Sequence, residues 1–111
     1  MLPTVREPDG LAMSSRNAYL SDEERRQAAV LFQALQAARA RIRAGARAPA
    51  RIVRTMRRVI AQVPGARVDY AAAVDANTLD PQRRLHGRVA LLLAVRLGRT
   101  RLIDNFLVDV P

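Results

Sequence analysis

Cysteine, lysine and tryptophan are all missing from this 111-residue chain. Without cysteine, disulfide frameworks, thiolate metal sites and cysteine nucleophiles are excluded together, and a reducing, cytoplasmic setting is the expectation. The aromatic residues are only Tyr19, Phe32, Tyr70 and Phe106, so a core must be assembled from Leu, Val, Ile and Ala. The longest apolar run, Val89 to Val95, falls far short of the roughly 20 residues of a membrane-spanning helix. No opening stretch has the charged-then-apolar layout of a signal peptide, so neither export nor membrane attachment is expected. Histidine occurs once, at His86, inside a polar segment with Arg84, Gly87 and Arg88, where nothing at fixed spacing supplies a metal-ligand partner.

Against those absences stands an excess of arginine. All 19 basic residues are Arg, set against 10 acidic ones, for a net charge of +9. An anionic partner must be weighed, although arginine without lysine is also what a GC-rich genome produces without selection for binding. Half the residues are apolar and 26% are charged and interspersed, the composition of a folded domain rather than a disordered tail. A chain of this length forms one domain, residues 1–111, and buries about two-thirds of its unfolded surface.

The opening residues, Leu2 to Leu20, hold Pro3, Pro8, Gly10 and the Ser14-Ser15 pair without sustained periodicity and read as an ordered loop. Ser21-Asp22-Glu23-Glu24 then has the capping-box arrangement that starts a helix. Ala28, Leu31, Leu35, Ala38 and Ile42 recur at steps of three and four, predicting a helix over Asp22 to Ala44 that Gly45 ends. Pro49 opens a second helix whose stripe is Ile52, Met56, Val59, Ile60 and Val63, stopped by Pro64-Gly65. On its far side Arg47, Arg51, Arg54 and Arg58 form a basic ridge if the first turn reaches back to Arg47. No aromatic residue interleaves with these arginines and no helix-turn-helix or zinc pattern accompanies them, which favours a solvated face over a nucleic-acid surface.

Beyond Gly65 the period changes. Val68, Tyr70, Ala72 and Val74 alternate with Asp69, Ala71, Ala73 and Asp75 as a strand with one better-buried face would. Asn77 to Arg88 reads as a loop, and Val89 to Val95 as a strand buried on both sides. Leu97-Gly98-Arg99-Thr100 supplies a two-residue hairpin with glycine where a type II′ turn requires positive φ. Leu102, Asp104, Phe106 and Val108 alternate in the returning strand. The fold class is α+β: two helices packed on a small three-stranded antiparallel sheet, with an ordered N-terminal loop.

No pair of carboxylates can be argued from spacing, and Asp104 and Asn105 are expected to satisfy backbone groups near the sheet. The segment Met13-Ser14-Ser15-Arg16 offers hydroxyls and a guanidinium, which suit the oxygens of a triphosphate. Physical chemistry alone leaves open that these serines merely close turns. However, the whole stretch Val5-Arg6-Glu7-Pro8-Asp9-Gly10-Leu11-Ala12-Met13-Ser14-Ser15-Arg16-Asn17 resembles the opening of the carboxy-terminal domain of pantothenate synthetases, the pantoate–β-alanine ligases. Val68-Asp69-Tyr70, Val74-Asp75 with Leu79, Leu93 to Gly98, and Thr100 to Asn105 follow that family's order and approximate spacing. The intervening helices match only in length and pattern.

The resemblance implies an enzyme that activates pantoate with ATP, accompanied by Mg2+, to a pantoyl adenylate, which β-alanine then attacks to give pantothenate and AMP. It implies that Met13, Ser14, Ser15 and Arg16 belong to a mobile loop whose donors hold the phosphates, and that Val5 contacts the adenine side through its backbone. The family's amino-terminal nucleotide-binding domain, with its histidine-containing ATP motif, pantoate-binding glutamines and phosphate-contacting lysine, has no counterpart here. The expected partners are that domain, ATP and, through the other domain, pantoate and β-alanine. No complete catalytic set and no metal site are expected in this chain, and isolated it is expected to be inactive. The competing expectation is a basic module that uses the arginine ridge to hold nucleic acid or another polyanion.

Overall fold

Residues 29–111 are described by the structure, a computed structural model. Helix α1 (Val30–Arg43) presents Leu31, Ala34, Leu35, Ala38 and Ile42 as one buried stripe, the face predicted from the three- and four-residue spacing. Its predicted start, with the Ser21–Glu24 capping box, lies outside the described residues. The helix ends as Gly45 predicts: at φ 116° this residue donates its N–H to Ile42 O at 3.1 Å, while Ala46 N donates to Arg41 O at 2.9 Å. Those paired bonds form a Schellman motif, which satisfies carbonyls that the helix leaves open.

Helix α2 (Pro49–Ile60) begins with Pro49 in its first turn and buries Ile52, Met56 and Ile60. It starts where Pro49 predicts and ends at Ile60, before the predicted stop at Pro64-Gly65. Arg47 precedes the helix, so it does not extend the basic ridge. Its guanidinium instead donates from Nη1 to Ile42 O at 2.8 Å and Ala46 O at 2.9 Å, and from Nη2 to Pro111 O at 3.2 Å. Val63 lies in a turn beyond Ile60, half-buried against the core.

Three antiparallel strands follow in the order β1 (Ala66–Asp75), β2 (Arg88–Leu97) and β3 (Thr100–Asp109). The β2–β3 hairpin is the predicted two-residue turn: Leu97 pairs with Thr100, and Gly98 sits at φ 60° while Arg99 keeps a negative φ. That combination is the type II′ geometry. Val89, Leu91, Leu93, Val95 and Leu97 of β2 join Leu102, Phe106 and Val108 of β3 in the helix-facing core. Ala90 and Ala94 are buried on the opposite side of β2, as a doubly covered strand requires.

Strand β1 departs from strict alternation. Its register shifts between Val68, opposite Val95, and Tyr70, opposite Ala94, leaving Asp69 in a bulge. A bulge of one residue reverses which side chains face the core from that point on. Val68, Ala71 and Ala73 therefore pack with the helix side, and Tyr70 is 51% exposed on the other face. The expected shared face for Val68 and Tyr70 is corrected accordingly. At the closing edge, Phe32 of α1 meets Phe106 of β3 edge to face at 5.7 Å, with the Arg39 guanidinium 4.9 Å from the Phe106 ring centroid. This trio ties α1 to the last strand through quadrupole and cation–π attraction.

Candidate functional site

Every residue that the sequence assigns to ATP, namely Val5, Met13, Ser14, Ser15 and Arg16, lies outside the described residues. In the described domain the turn after β1 carries a side-chain hydrogen-bond network centred on Asp75. Asp75 Oδ1 accepts the N–H groups of Asn77 at 2.8 Å and Thr78 at 3.0 Å, and Oδ2 accepts from Gln82 Nε2 at 3.3 Å. Gln82 also bridges to His86, donating to its carbonyl at 3.2 Å and accepting its N–H at 3.3 Å. Leu79 is held at φ 62°, a left-handed conformation uncommon for leucine, with its N–H on Asp75 O at 2.8 Å. The loop is anchored at its far end by buried Leu85, whose N–H meets Arg47 O at 2.8 Å.

His86 is thus part of a loop-closing network centred on Asp75. Bonds from the Thr78 and Asn77 backbones, then from the Thr78 hydroxyl, and the nearby His86 charge hold the Asp75 carboxyl below its ordinary value of 3.8, against a smaller opposing effect of desolvation. A depressed carboxyl contributes stability above its unfolded-state pKa and loses it as pH falls through the folded value. Asp75→Ala should therefore lower the thermal midpoint near neutral pH. The gap to the parent should close below about pH 4, as read in melts at stepped pH.

On the outer face of the sheet, Tyr70, Ala94 and Ile103 align across the three strands, with Tyr70 and Ile103 exposed. The bulged Asp69 pairs with Arg101 at 3.1 Å and Arg96 at 3.6 Å at one end of that face. Asp104 faces inward, only 2% exposed, and its Oδ1 accepts the Asn105 N–H at 2.7 Å, the backbone role expected for it. Across the molecule, Arg41, Ala44, Gly45, Ala46 and Arg51 line an open concavity of about 290 Å³ where α1 turns into α2. Among the described residues no cluster of His, Cys, Asp or Glu could hold a metal ion, and no helix is long and apolar enough to cross a membrane.

The described residues offer a platform with neither a nucleophile–base pair nor paired carboxylates. Its relatives say what the platform belongs to. Residues 1–107 match the family described as pantoate-beta-alanine ligase. The chain belongs to that family. It is 50% identical over 109 residues to the pantothenate synthetase of Moorella thermoacetica, covering 98% of this chain and 38% of that protein. With the Rubrobacter xylanophilus pantothenate synthetase it shares 55% identity over 104 residues, 93% of this chain and 36% of that one. The crystal structure of the Thermus thermophilus pantothenate synthetase superposes with a TM-score of 0.87 at 43% identity, covering 95% of this chain and 38% of that chain. The chain therefore spans little more than a third of the length of the synthetases it matches.

Two features of the platform escape sequence reasoning. Helical spacing groups Arg47 with the ridge, yet Pro49 marks the helix start and excludes it. The Asp75 network has a usable signal in Asp-Ala-Asn-Thr, where the Asp carboxylate accepts the backbone N–H groups two and three residues on and the Thr hydroxyl that of Asp80.

Proposed function

We propose that this chain is the carboxy-terminal lid of a pantothenate synthetase, closing over ATP held by a nucleotide-binding domain. The observation that carries the reading is the Val5–Asn17 segment, inside a family match that reaches residue 107. The chain's partial coverage of its relatives supports a division of labour: the other portion binds pantoate and the nucleoside, and this portion completes the site.

In the reaction, a pantoate carboxylate oxygen attacks the α-phosphorus of ATP, forming the acyl–phosphate bond and expelling pyrophosphate. The β-alanine amine then attacks the acyl carbon, forming the amide, releasing AMP and losing a proton. Charge accumulates on the phosphate oxygens in the first step. Ser14 and Ser15 donate hydrogen bonds there, Arg16 neutralises the developing charge, Met13 belongs to the same loop, and Val5 contacts the adenine side through its backbone. Magnesium enters with ATP as part of the substrate. Closure excludes water from an adenylate that water would destroy. The whole enzyme operates in the cytoplasm.

A lid without its base has nothing to close on. Incubated with pantoate, β-alanine and Mg·ATP, the 111-residue chain should form no pantothenate above background. Its ATP affinity should be weak and lost at moderate salt, because exposed phosphate contacts are screened over about 10 Å. Pantothenate formation by this chain alone would refute the lid reading.

A further inference from the structure

Among the described residues the carboxylates are segregated by layer. Residues 25–68 contain eleven arginines and neither Asp nor Glu. All the described carboxylates, Asp69, Asp75, Asp80, Asp104 and Asp109, belong to the sheet or its loop. GC-rich codon usage accounts for arginine in place of lysine, but it does not remove acidic residues from solvent-facing helices. Arg51, Arg54, Arg57 and Arg58 are exposed along one side of α2, opposite buried Ile52, Met56 and Ile60. None has an ion-pair partner among the described residues, whereas three of the sheet's arginines, Arg88, Arg96 and Arg101, do. The patch continues beyond α2, because Arg41 of α1 shares with Arg51 the concavity of about 290 Å³ at the helix junction. Like charges three and four residues apart repel, and a helix that carries them without relief gains stability from an external counter-charge.

We infer that the arginine face formed by Arg41, Arg51, Arg54 and Arg58 binds the phosphate backbone of duplex nucleic acid without reading its sequence. Guanidinium groups favour phosphate through paired N–H donors. From Arg51 to Arg58 the helix rises about 10 Å, a length over which a duplex presents roughly six backbone charges. The absence of aromatic residues from the ridge argues against stacking on bases and leaves backbone contact untouched. A bilayer is the poorer fit, since among the described residues the large exposed apolar ones, Tyr70, Leu79 and Ile103, all lie off the helices, and none beside the arginines is placed to insert. This inference is independent of the lid reading, whose loop lies elsewhere in the sequence.

The test is fluorescence anisotropy of a labelled duplex of about 20 base pairs and arbitrary sequence, titrated with the full chain from about 50 to 200 mM salt. Each phosphate contact makes affinity fall about 3.5-fold over that range. The variant Arg51→Gln/Arg54→Gln/Arg58→Gln should flatten the log–log salt slope by about 2.7, so that the parent loses roughly 40-fold more affinity than the variant does. A charge-matched control, Arg83→Gln/Arg84→Gln/Arg99→Gln, alters exposed arginines of the loop and hairpin and should keep nearly the parental slope. Circular dichroism verifies that both variants fold, as expected for exposed positions. Equal losses in the two variants, no duplex binding at the lowest salt, or ridge-dependent binding to phosphatidylserine vesicles in preference to duplex would each overturn the inference.

Discussion

Replacing Leu35 with alanine is expected to destabilise the domain by about 3–5 kcal/mol, enough to leave a large fraction unfolded near physiological temperature. Leu35 is fully buried at the centre of the α1 stripe, within a core that also takes in Met56 of α2, Leu91 of β2 and Phe106 of β3. The loss combines the transfer free energy of the deleted methyl groups with the cavity they leave, and a core shared by helices and sheet cannot collapse around that cavity without moving both layers. Urea denaturation would measure it. A midpoint shift equivalent to less than about 1 kcal/mol would mean that α1 is not seated on the sheet as described.

The second large effect falls on catalysis. In a full-length synthetase that carries this segment, Arg16→Ala should lower kcat by about 10²–10³-fold, the usual consequence of removing a donor that meets charge developing in the transition state. On the proposed division of labour, in which the other domain grips the nucleoside, KM for ATP should rise far less. Arg16→Lys should recover only part of the rate, since an ammonium keeps the charge but cannot span two phosphate oxygens as a planar guanidinium does. Steady-state kinetics of AMP release separates these outcomes. A change confined to KM would assign Arg16 to ground-state binding instead.

Much of the fold can be read from residue order because local signals agree with one another. Gly45, Pro49 and Gly98 each demand a particular backbone geometry and each obtains it. The unbroken apolar run from Val89 to Val95 correctly implies a strand covered on both faces. The bulge at Asp69 is not legible, since Val68, Tyr70, Ala72 and Val74 alternate without interruption in the sequence. Only pairing with β2, and the ion pairs that draw Asp69 towards Arg96 and Arg101, reveal the extra residue. Arg47 is misplaced by spacing for a related reason: helical periodicity is blind to a side chain that folds back on carbonyls of the preceding helix and its cap.

The site is legible in another way. Composition and periodicity leave Ser14, Ser15 and Arg16 equivalent to any loop serines and arginine. Only the longer segment around them, matched as a block, distinguishes them, and the family membership of residues 1–107 agrees with that match. On the proposed lid reading, the chemistry cannot be derived from this chain alone, because its donors would acquire a role only opposite a bound triphosphate.

That dependence sets the most direct test. The chain is mixed with the separately purified nucleotide-binding portion of a pantothenate synthetase, and AMP release is followed with and without pantoate and β-alanine. Activity that appears only in the mixture, requires both substrates and falls at least about 100-fold with Arg16→Ala is the predicted result. Two folded portions that associate yet release no AMP, or a mixture indifferent to Arg16→Ala, would contradict the assignment of this domain as the lid that completes the ATP site.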